Sequence, residues 1–419
     1  MVHAYPHELA RFVHDNLPAG ATDLAELEII LSAAYQASLL REEERNLSFR
    51  LLLTPPDALR PADGPPQGLH RLRFEEPRRL NEQEIRRLAP AAKMQRAMIG
   101  VAAGVDGLHI WGLVQTGPAW IHAIEGGRAP AGPMPDALSV VVTGPGRVLV
   151  SHGGVTIAKL SGGEVSGASP DVFDSKWLPD ACAENRREVF AAHESGRTSV
   201  PPIDTELLRK IDQQLVRRIL ANVRLARHGG TILLLPQEDA GRVVSTGRPI
   251  KLKYRFIDEE PRRRYRSLQL RLLEILARNA ERDGATATWE RYVESTDPDL
   301  GAIDAALLEL AHTIAGLASV DGAVVLSKRF DVMGFGGEIG GDLADVPAVM
   351  RALDLEGDRR EPESTDGVGT RHRSVYRLCA AIPDALGIVV SQDGGVRLVA
   401  TKDGAVTYWD QLGTGPMEI

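Results

Sequence analysis

Cysteine is nearly absent from this chain of 419 residues: there are two, Cys182 and Cys379, with no CxxC pair and no metal-ligand spacing. That excludes a disulfide framework and a thiolate metal centre, and a reducing, cytoplasmic compartment is the natural expectation. Long apolar runs are missing too. No stretch approaches the roughly 18 residues a membrane span needs, so no membrane partner is expected. Residues 1–16 carry Pro6, Glu8 and Asp15 and lack the apolar core of a signal peptide. Positive charge is in deficit, with 49 Lys and Arg against 57 Asp and Glu and a net charge of −8, which gives no support to a nucleic-acid partner. HExxH, a Ser/His/Asp order and the GxxxxGK[ST] phosphate loop are all absent. The remaining composition, 43% hydrophobic and 25% charged, is that of a globular protein long enough for two or three cored domains.

Hydrophobic spacing places the main elements. Leu24, Leu27, Leu31, Ala34 and Ala37 recur at helical intervals, as do Leu208, Ile211, Leu215, Ile219 and Val223 over 205–227, and Ile303, Leu307, Leu310, Ile314 and Leu317 over 302–317. Further helices are expected over 265–282 and over 81–99, the second interrupted near Pro90. Strands are expected at 48–53, 69–75, 108–114, 137–143, 231–235, 251–256 and 323–326, with a glycine-turned hairpin over 147–160. His109, Trp111, Trp120 and His122 alternate as packing residues of a strand do, and Arg262-Arg263-Arg264 beside Asp258-Glu259-Glu260 reads as a self-paired face.

The two halves look like copies. Residues 48–53 answer 230–235, Arg73-Phe74 through Arg79 answers Arg255-Phe256 through Arg263, Val105-Asp106-Gly107 answers Val320-Asp321-Gly322, and Pro135-Asp136-Ala137-Leu138 answers Pro383-Asp384-Ala385-Leu386. Four matches in one order indicate an internal duplication. The expected architecture is α/β, with two related domains, each a mixed β-sheet flanked by helices: residues 1–160, a connector over 161–202, and 203–419. The copies differ in one interval, which runs 30 positions from Asp106 to Asp136 (136 − 106) and 63 from Asp321 to Asp384 (384 − 321). The extra length holds Gly334 to Gly341, a charged stretch from Asp354 to Asp366 expected as a surface excursion, and Gly369-Thr370-Arg371-His372-Arg373. The first copy has Glu125-Gly126-Gly127-Arg128 and prolines there.

Gly369-Thr370-Arg371-His372-Arg373 combines groups with chemical use. Glycine lets backbone approach a ligand, Thr370 offers a hydroxyl, and Arg371 and Arg373 offer planar donor forks suited to phosphate oxygens. His372 can bind a metal or a phosphate. A solvated basic loop has the same residues, and Asp321-Gly322 by itself is a plain turn. The glycines from Gly334 to Gly341 suit either backbone contact with a nucleotide or a surface loop.

The order of Asp321-Gly322-Ala323 running into a strand, then Gly369 to Arg373, then an apolar strand ending in Ser391, resembles the diadenylate cyclase family (the DisA-type DAC domain), which condenses two ATP into cyclic di-AMP. The resemblance covers roughly the second half of the chain. It implies catalytic roles for Asp321, Arg371, His372 and Arg373, with Mg2+ or Mn2+ at Asp321 and His372. It also implies nucleotide contacts from Gly322, Ala323, Gly369, Thr370 and Ser391, and pairing of two cyclase domains that face each other. Where the family commonly shows acidic residues after the serine, this chain has Gln392 and then Asp393. A pseudo-cyclase that binds ATP or cyclic di-AMP without making it is the alternative. Cyclases of this group can carry an N-terminal sensor domain, and the first half resembles such a module, a non-catalytic copy of the same fold.

Overall fold

The computed structural model describes residues 3–18, 20–59, 69–94, 96–116, 136–153, 155–167, 171–195, 203–226, 228–340, 342–392 and 394–411. The chain divides into two compact units, Met1–Ser169 and Pro170–Thr414. Trp120, His122, 125–128 and Asp393 lie outside the described residues.

In the first unit, helices α1 (Pro6–Asn16) and α2 (Leu24–Ser38) cover one face of a sheet built from β1 (Phe49–Leu53), β2 (His70–Arg79), β3 (Ala97–Gly104), β4 (Gly107–Gln115), β5 (Leu138–Gly144), β6 (Arg147–His152), β7 (Val155–Ser161) and β8 (Glu164–Gly167). A short helix, α3 (Glu82–Leu88), is capped by the Asn81 side chain, which accepts from the N–H groups of Gln83 and Glu84. The helix expected over 81–99 stops there. Residues 97–104 are instead a central strand, and Gly100 is needed in it because a Cβ would sit 2.3 Å from the Trp111 ring. Small residues hid this strand, since Ala and Gly carry little β signal. Trp111 is a packing residue, as expected: it is buried and its Nε1 donates to the Thr54 carbonyl at 2.8 Å.

In the second unit, α4 (Ala183–Glu194) and α5 (Thr205–Leu225) lead to β9 (Gly230–Leu235). Next come α6 (Gln237–Thr246), β10 (Ile250–Arg255), α7 (Arg264–Asp283), α8 (Pro298–Leu317), β11 (Ala323–Ser327) and β12 (Val332–Ile339). The chain ends with β13 (Ala348–Ala352), β14 (Arg360–Ser364), α9 (Thr370–Ala381), β15 (Leu386–Val390), β16 (Val396–Lys402) and β17 (Ala405–Gln411). The α5 stripe is buried, and Asp204 caps the helix by accepting from the Glu206 N–H at 3.0 Å. Helix α8 starts earlier than its apolar stripe, at Pro298, because Asp297 caps it and proline is pre-set for the first helical position. It is the one described helix long and apolar enough to span a membrane, and its stripe is packed in the core with α5 and α7. Arg263 and Arg264 pair with Glu259 and Glu260 at 3.1 and 3.0 Å, as the sequence suggested. Both cysteines are free and buried, and burial pushes their thiols up to about 12.

The two sheets share a strand order. The first runs β8-β7-β6-β5-β1-β3-β4-β2, and the second β10-β12-β11-β9-β15-β16-β17-β13-β14. Reading the second backwards, β17-β16-β15-β9-β11-β12-β10 matches β7-β6-β5-β1-β3-β4-β2. The single parallel contact inside the shared part, β1 with β3 and β9 with β11, falls at the same place. The duplication is therefore present in the topology.

Pairing also corrects its details. Leu51 pairs with Ile99 and Ile232 with Val324, while Leu53 pairs with Leu138 and Leu234 with Leu386. So Leu51 answers Ile232, one residue from the alignment of 48–53 with 230–235. The distinction matters because a one-residue slip exchanges the two faces of a strand. Asp106-Gly107 does not answer Asp321-Gly322. Val105 and Asp106 form the tip of the β3–β4 hairpin, closed by the Gly104–Gly107 pair, whereas Asp321 precedes β11, the counterpart of β3. Asp321 lies three residues before Val324, and three residues before Ile99 stands Arg96.

Two further expectations change. The charged stretch up to Asp366 forms β13 and β14, which extend the sheet: Arg360 pairs with Asp403 at 2.8 Å and Lys402 with Asp358 at 2.7 Å. These charge pairs brace it, and Val349 anchors it in the core. Residues 161–202, read as a connector, contribute β8 to the first unit, while Val172, Phe173, Leu178, Cys182 and Val189 join the core of the second.

Candidate functional site

One end of the second sheet gathers most of the residues singled out in the sequence. β9 and β11 begin there, since Thr231 pairs in parallel with Ala323, and β15 ends there, since Gly230 pairs antiparallel with Val390. His228-Gly229, Asp321-Gly322 and Ser391 therefore open on the same edge. From β11 to β15 is two strand spacings, roughly 10 Å. Gly337 pairs with Ala323 and brings β12 to this end as well. The run from Gly334 is thus mainly strand, not loop, although Gly336 takes φ +63.

Two glycines make the approach possible. Gly322 has φ +108, and a Cβ on it would lie 2.6 Å from the Gly336 carbonyl carbon. Gly229 has φ +68, and a Cβ there would lie 2.6 Å from the Val390 oxygen and 2.9 Å from Arg371 Nη1. Any side chain at either position would break the contact that closes the site.

Helix α9 opens on the motif itself. Gly369 is its N-cap and offers no side chain, Thr370 to Arg373 form the first turn, and no acidic residue stands in that turn. Arginines at a helix N-terminus oppose the macrodipole, and an anion there would take open backbone N–H groups and guanidinium forks together. The helix is fixed by Val375, Leu378 and Cys379, all buried, and Gly387 in β15 lets it lie close, because a Cβ there would meet Val375 at 2.2 Å. Arg371 Nη1 donates to the His228 carbonyl at 3.3 Å, tying the turn to the start of β9. His372 is half-buried, its ring 6.4 Å from Tyr376. Thr370 and Arg373 are exposed.

Asp321 is exposed and lies within electrostatic reach of Lys253 on β10. The Lys253 ammonium is held above its usual range chiefly by its hydrogen bond to Glu338, 2.9 Å away, with the Glu338 charge next and Asp321 a smaller contributor. Ser391 is committed to the β15–β16 turn: its N–H and Oγ both point to the Gly395 carbonyl, at 2.8 and 3.1 Å. His228, whose Nε2 lies 2.6 Å from Ser319 Oγ, and Lys253 were not singled out by the sequence. The alternation over 251–256 indicates a strand and gives Lys253 no further role.

Among the described residues no group of three or more His, Cys, Asp or Glu could hold a metal ion. Asp321 and His372 offer one carboxylate and one imidazole. That set suits a divalent ion that arrives with a triphosphate and completes its shell from phosphate oxygens and water, as Mg2+ does, while Mn2+ accepts an imidazole more readily.

The first unit has the scaffold of this site without its groups. Arg96 stands where the second has Asp321, so a cation replaces the carboxylate. Asp106 lies at the opposite end of its strand, on an exposed hairpin tip. Asp106→Asn should therefore leave any ATP-dependent activity of the chain at the wild-type rate. A loss of more than a few-fold, with the circular dichroism spectrum unchanged, would contradict this placement.

A family model described as "Probable sensor domain DACNV" matches residues 17–115, inside the first unit. No curated protein and no solved structure matches the chain.

Proposed function

We propose that the second unit is a diadenylate cyclase domain, condensing two ATP into cyclic di-AMP and two pyrophosphates, and that the first unit is its sensor. The observation that carries the reading is the convergence of Asp321-Gly322 and the α9 motif on one sheet end, bridged through His228. The match of residues 17–115 to a probable sensor domain supports the second half of it.

Each bond requires a ribose 3′-hydroxyl oxygen to attack an α-phosphorus. The P–O bond to the β-phosphate breaks, pyrophosphate leaves with the electron pair, and the hydroxyl proton passes to solvent water. Asp321, at the strand entrance, orients that hydroxyl. Arg371, Arg373 and the first-turn amides of α9 hold the phosphates and meet the charge that develops on them. Mg2+ or Mn2+, which Asp321 and His372 would hold together with the triphosphate, would supply charge neutralisation and a more acidic hydroxyl. Gly322 and Ala323 let the nucleotide lie against the strand, and Ser391 closes the other side.

One unit presents one such site, and the product joins two nucleotides, so two copies must face each other. Tyr254, Phe256 and Ile257, exposed on and just beyond edge strand β10, give the unit an apolar surface for association. Specific activity should therefore rise with protein concentration until the paired species saturates. A constant specific activity from a demonstrated monomer would refute the arrangement. Gln392, exposed directly after Ser391, favours the second reading, a pseudo-cyclase that binds ATP or cyclic di-AMP without turnover.

A further inference from the structure

We propose that the first unit binds a small-molecule oxyanion, a phosphate or carboxylate group, through the guanidinium of Arg50. The inference rests on reading this unit as a sensor and names the chemistry it would sense.

Arg50 lies in the middle of β1 and is 4% exposed. Its Nε and Nη2 are buried, and the side chain has no hydrogen-bond or ion-pair partner among the described residues. Burial pulls its pKa down to about 10, so it stays charged at neutral pH. A buried, unpaired cation is costly. Proteins that retain one ordinarily give it a counter-charge, and none stands among the described residues.

Its place in the sheet says where that charge would come from. Arg50 alternates with Phe49 and Leu51, which face α2, so it shares the other face with Leu52, Met98 and Trp111. It pairs with Val141, while Leu52 pairs with Ser139. Leu51 answers Ile232, so Arg50 answers Thr231, which pairs with Ala323 and Val389 at the floor of the site in the second unit. The first copy thus raises a guanidinium where the second binds its candidate ligand, and it has Arg96 in place of Asp321. A site with a carboxylate fits a metal-bound phosphate, and a site that has exchanged it for arginine fits the anion directly. Ser139 and Ser151, both buried, hydrogen-bond each other at 2.7 Å on the same face. Ser139 is a diagonal neighbour of Arg50, roughly 7–8 Å away, and one hydroxyl proton of the pair is left to donate.

The test is calorimetric titration of the full-length chain with sodium phosphate and, separately, sodium acetate at constant ionic strength. It is done in an Arg371→Ala/Arg373→Ala background, which removes both phosphate-binding guanidiniums of the second unit, so that what responds to Arg50 belongs to the first. One of the two anions should bind, and the better one assigns the ligand class. Arg50→Met should weaken it by roughly 10- to 100-fold, the loss expected for a charge-assisted hydrogen-bonded contact. Without anion, Arg50→Met should melt at or above the parent temperature, because it replaces an unpaired buried charge with an apolar chain. If that variant does not fold, Arg50→Lys decides: the loss of the planar fork should still weaken binding. Absence of binding by either anion, or affinity unchanged in the variants, overturns the proposal. Cyclic di-AMP synthesis does not enter the readout, so failure here leaves the cyclase reading standing, and the converse holds.

Discussion

Replacing Asp321 by Asn is expected to abolish cyclic di-AMP formation while leaving the fold intact. Asp321 is exposed at the entrance to β11, and the glycine next to it, with φ +108, determines the local backbone, so the carboxylate carries none of the packing. The exchange barely alters volume but removes the negative charge that would bind the divalent ion and hold the attacking hydroxyl. Losing a metal contact and a hydroxyl contact together should cost a factor of about 10³ or more, comparable to removal of a charge-stabilising group in other transfer reactions. The unfolding temperature should change little, because surface substitutions away from packed or buried features are usually within ~0.5 kcal/mol. Near-wild-type turnover would remove Asp321 from the mechanism. Lost turnover with a lowered unfolding temperature would instead make it a structural residue.

The second large effect concerns where the catalytic unit begins. A fragment starting at 170 should fold alone, and one starting at 203 should not. The residues between supply Val172, Phe173, Leu178 and Val189 to the main core, and burial of four such side chains contributes roughly 6–12 kcal/mol. That is comparable to the whole stability of a typical domain, about 5–15 kcal/mol. Polar contacts are lost as well. Asp212, whose carboxyl is pushed up to about 6 by burial, accepts from Asn185 Nδ2 at 3.4 Å and Arg186 Nη1 at 3.3 Å, and the shorter fragment would leave it with Tyr265 and Gln269. Arg217 would lose Asp171, 2.6 Å away, and the Phe173 ring beneath its guanidinium. Trp177, stacked on Trp409 with 4.2 Å between centroids, would go too. Circular dichroism and a cooperative melt of the two fragments decide it, and equal melts would show that residues 170–202 are dispensable.

The stretches legible in the sequence were those with one dominant signal. α5 and the α8 stripe have clean helical periodicity, β9 and β11 are short apolar runs that open after glycine, and β15 is an apolar run broken only by Gly387. The candidate site of the second unit could be picked out because Asp321-Gly322 and the α9 motif are short and ordered. What escaped had its cause elsewhere in the fold. β3 looked like the end of a helix because its small residues exist to accommodate Trp111. β13 and β14 looked like a solvated excursion because Val349 is the one buried residue in the two strands. Asp106 looked like a relic of Asp321 because Asp-Gly also makes hairpin tips, and only strand pairing distinguishes the two settings. Arg50 gave no signal, since nothing in the sequence shows that an arginine between Phe49 and Leu51 is buried without a partner among the described residues.

The most direct measurement is incubation of the purified full-length chain with ATP and either Mg2+ or Mn2+, with products separated by chromatography. A diadenylate cyclase converts ATP to cyclic di-AMP with one pyrophosphate per ATP, only when the metal is present. Saturable ATP binding with no cyclic di-AMP under either metal, across the concentration range in which the chain self-associates, would contradict the account and leave a nucleotide-binding pseudo-cyclase in its place.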